Sequence, residues 1–203
     1  MTSTESRNPS RWDALGDLAL ILGVLLISKF LLLRVDAIWT YAGPVSLLLA
    51  LGVATICLRR RGENWADIGL SRPESMRKLA LWTVAALVVT IGVGILAESL
   101  FAGLIGPPDE ATQAVDARFQ GRFDNLAGNF PLYLFWLAVA RVIGGFTEPL
   151  LFRGALFARF ERLVTSLPFA ALLAPACLAL LFVQAHLYYH GLAGRVATGV
   201  TAF

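Results

Sequence analysis

The sequence predicts an all-α, polytopic helical membrane protein with five spans and the start of a sixth. Two observations predict it. The first is composition: of 203 residues, 57% are hydrophobic and only 15% charged, with a mean hydropathy of +0.69. A soluble domain is nearer half apolar and a quarter charged. The second is arrangement. The apolar residues gather into runs of about 20, the length a helix needs to cross a hydrocarbon core ~30 Å thick. Backbone groups in lipid must be hydrogen-bonded within their own segment, and the runs lack the strict alternation of a barrel strand, so each is expected to be a helix.

In chain order, residues 1–13 read as a polar N-terminal tail and 14–33 as the first span. Its apolar part exceeds the 7–15 residues of a secretory signal core, and the following "RVDAIWT" offers no small-residue cleavage site, so it is expected to be retained. Residues 38–58 form the second span and 79–101 the third. Together 14–101 make an N-terminal three-span region with a basic loop at 59–78. Residues 102–129 are an extramembrane loop, where "GPPDEATQ" breaks helix before a short amphipathic piece at 111–123. Residues 130–147, interrupted by Arg141, are the fourth span and 167–187 the fifth. The last 14 residues, "HGLAGRVATGVTAF", are too short to cross. They are expected to open a sixth span in a longer chain, which leaves the 130–203 core truncated.

Charge sets orientation and removes some functions. The loop at 59–78 holds six basic residues, whereas the segment after the third span holds two basic and four acidic ones. Basic residues accumulate in cytoplasmic loops, so the Arg59 loop and the N-terminus are expected inside, with Arg159 and Arg162 returning the chain to that face. The net charge of +3 is no footprint for nucleic acid. Cys57 and Cys177 form neither a disulfide framework nor a metal spacing.

Ionisable residues inside spans are functional candidates by default. Asp17 and Lys29 sit near opposite ends of the first span and Glu98 near the end of the third, so interfacial placement accounts for them. Arg141, Glu148 and His186 are harder to dismiss. At α-helical spacing Arg141, Gly145, Glu148 and Phe152 share one stripe. Pro149 lacks an N–H, so a kink or restart is expected there, with Thr147 or Glu148 as cap. His186 and His190 lie four apart, on the face that also carries Phe182. Glu148 and His186 are each 19 residues from Leu167, in the "TSLP" turn region. Antiparallel helical arms would therefore bring them to equal depth.

These residues carry a resemblance. "EPLLFRG" followed by "FVQAH" resembles the CAAX protease and bacteriocin-processing membrane peptidases, which include the type II CAAX prenyl endopeptidases. Glu148, Arg153 and Gly154 match the first motif of that family, and Phe182 and His186 match the second. "RRRGENWADIGL" is similar to the loop the family carries before its core. Pro149 stands where the family has a second glutamate, and no His-x-x-x-Asn or Asp motif follows.

The resemblance implies an intramembrane endopeptidase in the cytoplasmic membrane of a prokaryote, acting on a peptide or protein substrate that could be lipid-modified. Glu148 and His186 would be the catalytic residues, with Arg153, Phe182 and Arg141 in support. A carboxylate whose charged form is penalised by an apolar cavity suits a general base, and His186 would orient the attacking water or stabilise the oxyanion. No cofactor is required. Glu148, His186 and His190 could alternatively supply three ligands to Zn2+ with a position left for water. Arg159→Ala would serve as a neutral control for variants of the two catalytic residues. Two other readings stand beside this one: a non-catalytic membrane immunity or scaffold protein of the same family, and a small transporter component.

Overall fold

The computed structural model describes residues 10–105 and 109–185. The described chain is helical, with no strand. Four helices are long and apolar enough to cross a membrane, Arg11–Leu33, Trp39–Arg60, Met76–Ala97 and Phe130–Val164, and a shorter apolar one covers Ala170–Gln184. The chain is an integral membrane protein by this reading. It divides into two compact units, Met1–Ser71 with Asn125–Ala174, and Arg72–Asp124 with Pro175–Phe203.

The first unit opens with helix α1 (Arg11–Leu33). Ser10 starts it with a capping box: the Ser10 hydroxyl accepts from the Asp13 N–H at 3.2 Å, and the Asp13 carboxylate accepts from the Ser10 N–H at 2.9 Å. A short 3₁₀ turn, Trp39–Tyr41, leads into α2 (Ala42–Arg60). The buried residues of α1 are Ala14, Leu18, Ile21 and Leu25, a stripe at spacings of three and four. Those of α2 include Ala42, Ser46, Ala50 and Ala54, a small residue at every fourth position. Lipid tails are as apolar as leucine, so helices in a bilayer associate through close packing, and small residues let their backbones approach. α1 packs along α2, and also meets the end of the Phe130–Val164 helix.

That helix is the main departure from the sequence reading. Neither a break nor a restart occurs at Pro149. Helix α5 (Phe130–Val139) passes into a π-helical stretch, Ala140–Thr147, then through Glu148 and Pro149 into a second, Leu150–Leu156, and ends as α6 (Phe157–Val164). Glu148 (φ −66°, ψ −51°) and Pro149 (φ −59°, ψ −39°) both keep helical dihedrals. The wide turns absorb the proline: donors reach five residues back instead of four, as from the Glu148 N–H to the Ile143 carbonyl. The Thr147 hydroxyl likewise donates to the Val142 carbonyl at 2.9 Å. Asn129 caps the beginning, its side chain accepting from the Leu132 N–H at 3.2 Å. Near the same end Tyr41 stacks on Trp136 at 6.0 Å and meets Phe135 edge-on. The turn after α6 lies where "TSLP" predicts it, with Phe169 in a left-handed conformation (φ 64°).

The loop after α2 folds onto the second π stretch at Gly154. A Cβ placed on this buried glycine would stand 3.7 Å from both Trp65 and Ile68. That is ordinary contact, so Gly154→Ala is expected to leave the thermal midpoint in detergent unchanged or slightly raised. Gly154→Leu must push the loop away, at a cost of about 1–3 kcal/mol.

In the second unit α3 (Met76–Ile105) is apolar along its length, with Leu81, Trp82, Val88 and Leu96 exposed, as a lipid-facing helix requires. α4 (Glu110–Gly121) is the expected amphipathic piece. Asp109 caps it by accepting from the Thr112 N–H at 2.9 Å. α7 (Ala170–Ala185) begins within the last residues of the first unit and continues into the second, with Pro175 at the boundary.

Candidate functional site

The expected site residues fall in different places. Glu148 is half-buried at the junction of the two π stretches, and its electrostatic neighbours are Lys29 of α1 and Arg153. Arg153 is exposed on the second π stretch. Arg141 is exposed on the first and forms no ion pair among the described residues. The stripe expected from α-helical spacing is therefore lost, because each five-residue hydrogen bond shifts the register that would align Arg141 with Glu148. Phe182 is half-buried in α7, in the second unit. His186 and His190 lie outside the described residues, as does the Glu98 side chain. The metal set Glu148, His186 and His190 thus has one described member. Among the described residues no group of three His, Cys, Asp or Glu side chains could hold a metal ion.

Lys29 has an acidic neighbour across the helix interface. It is half-buried and lies within electrostatic reach of Glu148. Asp17 is enclosed by its neighbours and only 5% exposed. Arg61 grips it in a two-pronged bond, Nε to Oδ2 at 2.7 Å and Nη2 to Oδ1 at 2.8 Å, while Arg159 Nε reaches Oδ2 at 2.9 Å. Arg159 Nη2 continues to Glu63 Oε2 at 2.6 Å, and Arg162 takes the other Glu63 oxygen. Arg61 also bonds Asp13, with Nη1 at 3.0 Å from Oδ1 and Nη2 donating to the backbone carbonyl at 2.9 Å. Three carboxylates and three guanidiniums thus interlock α1, the loop after α2 and α6. Charge-assisted and bidentate bonds of this kind are the strong ones.

Arg159 is consequently no neutral control. It is 1% exposed and among the largest fully buried side chains of the described residues, and it touches both Asp17 and Glu63. Its role was hidden because a basic residue near a helix end looks the same whether it faces water or a carboxylate.

The two charge contacts are in register. Asp17 and Lys29 are 12 residues apart on α1, about 18 Å, and Glu148 and Arg159 are 11 apart on their partly π-helical segment, at most about 16 Å. Asp17 meets Arg159 while Lys29 faces Glu148, so the two helices run antiparallel with an acid–base rung near each end of the shared interface. The Asp17 rung is polar and cross-linked. The Glu148 rung lies deep in the apolar span, with exposed Gly144 and Gly145 one turn away.

Glu63 lies outside the spans. Burial works against its charge, but bonds to Arg162 and Arg159 outweigh that and hold its pKa below the ordinary 4.5. A depressed carboxylate contributes stability above its unfolded pKa and loses it as pH falls toward the folded one. The difference in thermal midpoint between the native chain and Glu63→Gln is therefore expected to be constant above about pH 5.5. It should close as the pH drops below that ordinary value. Melting in detergent across pH 3–7 measures this.

No protein-family model, curated protein or solved structure matches this chain.

Proposed function

We propose that the chain is an intramembrane endopeptidase in which Glu148 activates water, similar to the CAAX protease and bacteriocin-processing peptidases. The observation that supports this most is the setting of Glu148. Its carboxylate sits within an apolar span, where the helix widens into π turns, with Lys29 and Arg153 as its charged neighbours. π turns recur at functional sites, and an ionisable residue at this depth is costly unless it serves a purpose.

In the reaction, Glu148 takes a proton from water and the resulting hydroxide attacks the scissile carbonyl carbon. The tetrahedral intermediate collapses as the C–N bond breaks, and Glu148 returns its proton to the leaving amine. Lys29 balances the carboxylate charge while it waits to accept that proton. His186 is assigned to the oxyanion or to the water by resemblance. Arg153 suits a substrate carboxylate or the membrane boundary. The basic loop at 59–78 favours an N-terminus inside the cytoplasmic membrane of a prokaryote.

A second reading has its own support. Lys29 can neutralise Glu148 as a purely structural rung, and Pro149 replaces the second glutamate of the family motif. Both features suit a non-catalytic immunity or scaffold protein. The test is cleavage of an apolar, lysine-flanked peptide in proteoliposomes, followed by mass spectrometry. Activity lost in Glu148→Gln but kept in Arg60→Gln, a change of an exposed arginine, supports hydrolysis. Equal cleavage by both, or none by the native chain, overturns it.

A further inference from the structure

Pro149, between the two π stretches, withholds a donor from the main-chain ladder. The Glu148 N–H donates to the Ile143 carbonyl, five residues back. The next donor along the ladder is Pro149, which has no N–H. The Gly144 carbonyl, which that donor would take, therefore receives a main-chain hydrogen from neither. This acceptor is also approachable. Gly144 and Gly145 are exposed, and a Cβ built on Gly144 would meet no atom within 4 Å. In an apolar span a bare carbonyl calls for a donor.

We propose that the Gly144 carbonyl docks a main-chain N–H of an extended peptide, holding that peptide beside Glu148. This inference rests on the hydrolytic reading of Glu148 and adds how the substrate is held. A peptide bond can be attacked only where the substrate helix has opened, and an opened segment carries N–H groups that lipid cannot satisfy. Strand-like capture by backbone acceptors is a general mode of peptide recognition. The spacing is suitable. Gly144 precedes Glu148 by four residues, at most about 6 Å along the axis because π turns rise less than α turns, and an extended chain advances ~3.3 Å per residue. The docked N–H should then lie about two residues from the bond that is cut. The absence of a side chain at Gly144 and Gly145 keeps the approach open, and Pro149 keeps the acceptor unoccupied.

The test uses the full chain carrying Glu148→Gln in lipid nanodiscs, so that binding is read without cleavage. The probes are lysine-flanked apolar peptides of about 20 residues, each with one backbone amide methylated, titrated by fluorescence. One methyl position, about two residues from the bond mapped with the Glu148 chain, is expected to weaken binding by up to about tenfold, the value of one hydrogen bond. Adding Pro149→Ala restores a donor to the helix, so binding of the unmethylated peptide should weaken and the effect of that methyl should vanish. Gly144→Val should act in the same way by crowding the acceptor, weakening the peptides that keep the docked N–H and leaving the one methylated there little changed. Equal binding of every methylated peptide to the Pro149 chain overturns the inference. So does a Pro149→Ala chain that binds as tightly as its parent. Cleavage that depends on Glu148 without any methyl dependence removes the docking role and leaves the hydrolytic reading. Methyl dependence without cleavage does the reverse.

Discussion

Arg159→Met is expected to destabilise the first unit by about 3–5 kcal/mol, the cost of removing one partner from a buried ion pair. The loss is large because the substitution strands charge and does not merely delete a contact. Asp17, 5% exposed, keeps Arg61 but loses the Arg159 Nε bond of 2.9 Å. Glu63 loses the 2.6 Å bond to Nη2 and retains Arg162. Folded proteins are stable by only about 5–15 kcal/mol, so the variant should lie near the threshold of folding at 37 °C. Arg60→Gln changes an exposed arginine near the same end of α2 and should stay within about 0.5 kcal/mol of the native chain. Reversible unfolding in mixed micelles compares them. A double-mutant cycle with Asp17→Asn should return a coupling of about 1–3 kcal/mol. A value near zero would mean that the two groups do not act together in the membrane.

The second large effect is on rate. Under the hydrolytic reading Glu148→Gln keeps the shape of the side chain but cannot accept a proton, and general-base catalysis contributes typically 10²–10⁴-fold. Cleavage in proteoliposomes should fall by about that factor while peptide binding persists. Lys29→Met should lower kcat as well, because the carboxylate loses the cation facing it, and Lys29→Arg should recover part of the loss. A merely structural rung would behave differently. Glu148→Gln would then lower the thermal midpoint and leave turnover per folded molecule unchanged. Measuring both quantities on the same preparation separates the alternatives.

Much of the fold could be read in the residues because membrane helices announce themselves by length and apolarity. The limits of α1, α2 and α4 fall within a few residues of the sequence reading, since the length of an apolar run and a helix breaker such as "GPPDEATQ" are local signals. The Phe130–Val164 helix was legible only in part. Pro149 is a reliable sign that an α-helical bond is missing, but the chain had two ways to accommodate it. Widening the turn preserves helical dihedrals where a break would expose several backbone groups to lipid, and a local sequence rule cannot weigh that difference.

The charge contacts show the same division. Glu148 and Arg153 stood out through a motif, whereas Asp17, Lys29, Glu63 and Arg159 were passed over one at a time. A signal was present in their spacing. An acid and a base 12 residues apart on one helix complement an acid and a base 11 apart on another once the two run antiparallel. Reading that pattern requires knowing which helices are neighbours, and single-helix reasoning does not supply it.

The antiparallel rungs also bear on biogenesis. Asp17 leaves the ribosome 142 residues ahead of Arg159, an interval of about 7–30 s at ~5–20 residues per second. During that time the first segment inserted by the translocon holds an acidic and a basic side chain whose distal partners have not been made. Arg61, only 44 residues behind Asp17, can shield the acid early. Lys29 has to wait for Glu148, 119 residues behind it, and the Asp17–Arg159 bond, whose arginine follows 11 residues later still, is completed last.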